Sequence, residues 1–163
     1  MKIAVLSDIH DNTWQLEKVL DGIAKVRAGV ILCCGDLCAP FTLKQIAHSF
    51  DGPVHLVFGN NDGDKWLLTT VAAEAGNVTL HDTFFEAVLD ACDVAMVHFP
   101  NLARALAASE RYDVVFYGHD HTAAAERVGG TWLINPGEVM GRFGSSTYAI
   151  YDTQTDDVDL LEV

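Results

Sequence analysis

Short apolar runs recur through the first half of the chain. Each is followed by a polar cluster and then by a segment with helical spacing. Residues 2–7, KIAVLS, read as a buried strand. Within 13–27, Leu16, Val19, Leu20 and Ile23 fall on one helical face, with Asn12 or Thr13 as the cap. VILCC (30–34) is a second strand, followed by a helix near 41–49, and VHLVF (54–58) is a third. Residues 64–76 read as a helix closed by Gly76. Strand–helix–strand units of this kind imply a parallel sheet covered by helices.

The second half is richer in strands. They are expected near 78–81, 84–90, 92–98, 113–118, 123–128, 131–134, 146–152 and 157–162, with a helix at about 101–110. The turns GG, NPGE and TQTDD separate the later ones, and antiparallel pairing is expected there. The expected fold is α/β: a two-sheet β-sandwich flanked by helices, as one domain over 1–163 with no cap domain and no repeat or linker.

The polar residues are placed by position. Strand one ends in Ser7-Asp8-Ile9-His10, strand two in Gly35-Asp36, and strand three in Gly59-Asn60-Asn61-Asp62. A later strand ends at His98, and another in Gly118-His119-Asp120-His121. Ligands of open α/β sheets gather beyond the carboxyl ends of the strands, so these clusters are expected to face one crevice. Asp8 and His10 are two apart on an extended segment, as are His119 and His121, so each pair can bite one ion or two adjacent ions. Asp36 has two oxygens to share between two cations, Asn60 a neutral carbonyl oxygen, and His98 a further imidazole. Mixed imidazole and carboxylate donors suit Mn, Fe, Ni or Zn better than Ca or Mg. Each cluster alone has an ordinary explanation: Gly-Asp and Gly-Asn are turn chemistry, and a lone His98 is commonly a core histidine. Their conjunction at successive strand ends points to a metal site.

Composition narrows the partners. The 163 residues carry 23 acids against 10 bases, a formal charge of −13, which repels nucleic acid and anionic membranes. Cys33, Cys34, Cys38 and Cys92 fit no zinc ribbon or redox pair and read as free buried thiols. The opening MKIAVLSDIH is too short for a signal peptide or a membrane span, and a cytoplasmic location is expected.

In that order, SDIHDN, GD, GN-x-D, VH and GHDH resemble the motifs of the calcineurin-like metallophosphoesterases, and specifically of the small uncapped bacterial and archaeal phosphodiesterases. The later NPGE is similar to that branch's NPGS turn, and the likeness runs roughly from residue 3 to 140. The resemblance implies one divalent metal held by Asp8, His10, Asp36 and His121, and a second held by Asp36, Asn60, His98 and His119. It further implies a bridging hydroxide as the nucleophile, manganese as the first choice of metal, a small phosphoester as substrate, and a homo-oligomer. The competing function on the same fold is a non-catalytic interaction scaffold.

Departures from the motifs define the remaining expectations. Asn61 stands where histidine is usual; it donates a hydrogen bond to substrate but no proton, leaving the reaction without a histidine general acid. Asp62 turns the loop or caps the helix at 64, with a proton role as the alternative; Asn12 touches substrate or caps its own helix. Phe99 and Pro100 follow His98 where glycine is usual. Asp11 and Glu138, if they face the crevice, repel a phosphate dianion more than a diester. His48, His55 and His81 read as surface or strand-edge residues, Arg142 as solvated, and Trp14, Trp66 and Trp132 as core or interface aromatics.

Overall fold

The computed structural model describes residues 1–163. Its elements follow in the order β1 (Lys2–Leu6), α1 (Thr13–Val26), β2 (Val30–Cys33), α2 (Pro40–Ser49), β3 (Val54–Leu56), α3 (Lys65–Ala75), β4 (Val78–Leu80), β5 (Phe84–Leu89), β6 (Cys92–Val97), α4 (Pro100–Ala108), β7 (Val114–Phe116), β8 (Ala124–Val128), β9 (Thr131–Asn135), β10 (Thr147–Asp152) and β11 (Asp157–Glu162). The strands form two sheets, ordered β11-β10-β1-β2-β3-β4 and β5-β6-β7-β9-β8.

Alternation along the strands builds three apolar layers. In β1, Ala4 and Leu6 face the layer shared with α1, α2 and α3, while Ile3 and Val5 face the layer between the sheets. In β6, Val94 and Met96 face that middle layer, and Ala95 and Val97 pack under α4 with Ala103 and Ala107. The result is a helix–sheet–sheet–helix sandwich, as the sequence pattern implied. No helix is long and apolar enough to cross a membrane.

One topological expectation needs correction. The second half is only partly antiparallel: β6, β7 and β9 run parallel, with β5 and β8 as antiparallel edges. The last two strands leave that sheet, and β10 pairs antiparallel with β1. Apolar alternation tells which face of a strand is buried but not which strand lies beside it.

The helix ends are chemically specified. Asn12 Oδ1 accepts from Gln15 N–H to cap α1, Pro40 opens α2, and Asp64 Oδ1 accepts from Leu67 N–H to cap α3. Gly76, in the left-handed region at φ 78°, closes α3. Trp14 and Trp66 are not core residues: they are 76% and 85% exposed, on the first turns of α1 and α3. Trp132 is half-buried beneath the Arg127 guanidinium, 4.1 Å from its ring centroid. His48 is exposed, whereas His55 and His81 are half-buried and hydrogen-bonded to each other at 2.9 Å. All four cysteines are free; Cys38 is only partly buried.

Candidate metal centre

The polar clusters converge because β1, β2 and β3 of one sheet and β6 and β7 of the other end at the same rim. Asp8, His10, Asp36, His119 and His121 all lie in the left-handed backbone region, with φ between 43° and 73°. Non-glycine residues adopt that conformation uncommonly, and such strain concentrates at functional sites. Close approach is bought with glycine. A Cβ on Gly59 would meet Asp36 Oδ1 at 2.2 Å, and one on Gly118 would meet Ser7 Oγ at 1.9 Å.

Two groups of donor atoms form, Asp8 with His10 and His121, and Asp8 with Asp36 and His98; the atoms of each lie within 4.8 Å of one another. Asp8 is fully buried. Its Oδ2 accepts from Ser7 Oγ–H at 2.6 Å and from His119 N–H at 2.9 Å. Its Oδ1 is buried without a hydrogen-bond partner, as is His10 Nε2. Around these atoms, His121 Nε2 is 3.3 Å from Asp8 Oδ1, and His10 Nε2 is 3.8 Å from Asp8 Oδ1 and 3.6 Å from Asp36 Oδ2.

The outer nitrogens are spoken for. His98 Nδ1 donates to the Cys34 carbonyl at 2.7 Å, and His121 Nδ1 donates to Glu138 Oε2 at 2.7 Å. With Nδ1 so engaged, each ring turns Nε2 inward: His98 Nε2 lies 3.2 Å from Asn60 Oδ1 and 3.6 Å from Asp36 Oδ2. Acceptors facing acceptors, with buried atoms unpartnered, form a cradle that fits divalent cations. His119 and Asn60 stand at the exposed side, with the His119 ring edge-on to His98 at 5.1 Å.

Electrostatics agree with that arrangement. Burial opposes ionisation of Asp8, but His10, Ser7 and the nearby His121 and His98 imidazoles more than offset it, so its pKa is lowered. Asp8, opposed by burial and assisted by Asp36, raises the pKa of His10. A proton on His10 is thus the alternative to a cation at this point.

A family profile, the calcineurin-like phosphoesterase superfamily domain, matches residues 1–156. The chain belongs to that superfamily. It is 29% identical over 157 residues to phosphodiesterase MJ0936 of Methanocaldococcus jannaschii, with 94% of each chain covered. The solved structure of an archaeal phosphodiesterase superposes with a TM-score of 0.93 at 27% identity, covering both chains completely. Vps29 from Entamoeba histolytica shares the fold, with a TM-score of 0.72 at 16% identity over 100% of this chain and 99% of that one.

Several departures from this superfamily's motifs acquire definite roles. Asp11 and Glu138 do not confront a substrate phosphate as free carboxylates. Asp11 Oδ1 accepts from Ala39 N–H and Thr42 Oγ–H, tying the first turn of α2 to the β1 loop. Glu138 is buried behind His121. Asp62 caps no helix: its carboxylate accepts from the N–H groups of Asp36, Cys38 and Gly59, clamping the β2 and β3 loops together. Both ends of the Asn12 side chain are engaged, Oδ1 by the α1 cap and Nδ2 by the Met140 carbonyl at 2.9 Å, which favours the structural role over substrate contact. Arg142 is exposed, as expected.

Ser7 is the partner that sequence reading missed. Glu138 reads in the sequence only as an acid that repels phosphate if it faces the crevice; the folded chain brings it to His121, 17 residues away.

Proposed function

We propose that this protein is a binuclear metal-dependent phosphodiesterase, with Asp8, His10, Asp36 and His121 holding one divalent cation and Asp36, Asn60, His98 and His119 the other. The chain is a phosphoester hydrolase of its superfamily. The diester preference, the pair of ions and the ligand assignments are the proposal. When bound, such ions supply a water activated for in-line attack and neutralise charge on the phosphoryl oxygens.

The observation that carries the reading is the inward-facing, unpartnered pair of buried atoms, Asp8 Oδ1 and His10 Nε2, within an otherwise satisfied polar cluster. The chain's residues have distinct tasks. Asp36 presents Oδ2 to both His10 Nε2 and His98 Nε2, each at 3.6 Å, and Asp62 holds the backbone that aims it. Asn61 donates from its amide without giving up a proton, so the leaving group departs without a histidine general acid. Mixed nitrogen and oxygen donors favour manganese, with iron, nickel or zinc as competitors. The net charge of −13 favours a small phosphoester over a nucleic-acid polymer and a soluble setting, which we take to be the cytoplasm. A homo-oligomer is proposed by analogy with the superfamily.

The test is elemental analysis of protein purified without chelator, with bis-p-nitrophenyl phosphate turnover measured in added Mn²⁺ for the wild type and Asp36→Asn. Close to two metals per chain, and turnover lost in the variant, are expected. A chain that takes up no metal and turns over no diester is a scaffold on a hydrolase fold.

A further inference from the structure

We propose that Glu138 is a positioning residue that locks His121 and the loop at 141–145 into one unit, an inference resting on the reading of His121 as a metal ligand. Glu138 lies between β9 and β10, 1% exposed. Its own backbone is fixed: its carbonyl accepts from Thr147 N–H at 2.9 Å, and the next residue, Val139, donates its N–H to the Ser7 carbonyl at 3.1 Å. From this anchored position its two carboxylate oxygens do different things. Oε2 accepts from His121 Nδ1 at 2.7 Å, and Oε1 accepts from Phe143 N–H at 2.5 Å.

The first bond sets a tautomer. With Oε2 accepting, the proton sits on Nδ1, and Nε2 is directed at the space beside Asp8 Oδ1. A carboxylate behind a ligating imidazole also makes the ring a stronger donor to metal. Without it, a neutral His121 is free to carry its proton on Nε2, which closes that nitrogen to a cation.

The second bond carries the loop. Phe143 is 71% exposed, yet its ring packs edge-on to His121 at 5.3 Å, and the Arg142 guanidinium lies 5.3 Å from the same ring. The carboxylate that orients the imidazole therefore also brings a cation and an aromatic wall to the rim of the crevice. A cation drawn to Nε2 makes Nδ1–H a stronger donor and holds Glu138 more firmly, and Glu138 passes that order to the Phe143 amide. By linkage, ordering the loop tightens metal binding in return. A serine, usual at this position, has one oxygen on a shorter side chain and cannot serve both partners.

The experiment compares the wild type with Glu138→Ala and Glu138→Gln in three readouts. These are the His121 tautomer by ¹⁵N NMR of metal-free protein, Mn²⁺ affinity by calorimetry, and hydrogen exchange at the Phe143 amide with and without Mn²⁺. In the wild type we expect Nδ1–H and slower Phe143 exchange when Mn²⁺ binds. Glu138→Ala should lose both signatures and bind Mn²⁺ about 10–100-fold more weakly. Glu138→Gln, with one carbonyl oxygen, should keep at most one of the two bonds, and it decides the matter if the alanine variant does not fold. Unchanged Mn²⁺ affinity with only a lower Tm would overturn the inference while leaving the metal centre standing. A wild type that takes up no Mn²⁺ would overturn both.

Discussion

Asn61 grips both oxygens of Asp36: its backbone N–H donates to Oδ1 and its side-chain Nδ2 to Oδ2, each at 2.7 Å. The residue standing where the superfamily usually has histidine is therefore a fixed donor to Asp36, a member of the donor group that also holds Asp8 and His98. An amide orients and polarises, but it has no proton to transfer at neutral pH.

Hydrolysis should accordingly depend strongly on the leaving group. Positioned general acids are worth about 10²–10⁴-fold, so an aryl diester should be cleaved faster than an alkyl one by a factor in that range. Asn61→His should narrow the gap by raising the alkyl rate. Equal rates for both esters in the wild type, with single-turnover kinetics showing that chemistry limits each, would contradict the absence of an acid.

Gly59→Ala should cost metal binding more than fold. The new Cβ would sit 2.2 Å from Asp36 Oδ1 and 2.8 Å from His98 Cε1, so both side chains must move. Gly63→Ala is the matched control, since its Cβ meets nothing closer than the Cys38 carbonyl at 3.9 Å. Calorimetric titration with Mn²⁺ should show a large loss of affinity for the first and little change for the second, with far-UV circular dichroism alike in both.

Asp62→Ala should destabilise the protein by about 2 kcal/mol, a Tm decrease of roughly 4–8 °C, because three loop N–H groups lose their acceptor. A proton-transfer role predicts the opposite outcome, intact Tm with lost activity. Thermal unfolding of the metal-free protein separates the two.

Acid should weaken the metal-free protein through the His55–His81 pair. Burial lowers the pKa of both rings, and His81 lowers that of His55 further. Below the ordinary histidine value of about 6.5, the unfolded chain takes up protons that the folded pair resists. Stability is thus complete above that pH and is lost as pH falls toward the depressed folded values. A His55→Gln/His81→Gln variant should lose less Tm than the wild type between pH 7.5 and 5.5; parallel losses would exclude the pair as the source.

Much of this protein is legible in order along the chain. The continuous apolar runs of β1 and β2, buried on both faces, and the helical face of Leu16, Val19, Leu20 and Ile23 reflect local burial, which leaves a local mark. The ligand types Asp8, His10, Asp36, Asn60, His98, His119 and His121 are visible for a related reason: each directly follows an apolar strand. Asp62 carries no such local mark, since its partners Asp36 and Cys38 lie 26 and 24 residues back. Of the two readings for Trp14 and Trp66, core or interface, the structure excludes the core, because aromatic character signals burial only on average and both stand on solvent-facing first turns.

The sequence by itself determined the element order, the layered α/β architecture and the donor types at the strand ends, because these follow from side-chain periodicity and from the bonding capacity of single residues. Tertiary structure alone decided that β6, β7 and β9 run parallel, that β10 returns to β1, and that Glu138 stands behind His121 instead of in the crevice. Those features depend on which distant segments become neighbours. Hydrogen-bond direction, burial and charge pairing at such contacts have no value until the chain has closed around them.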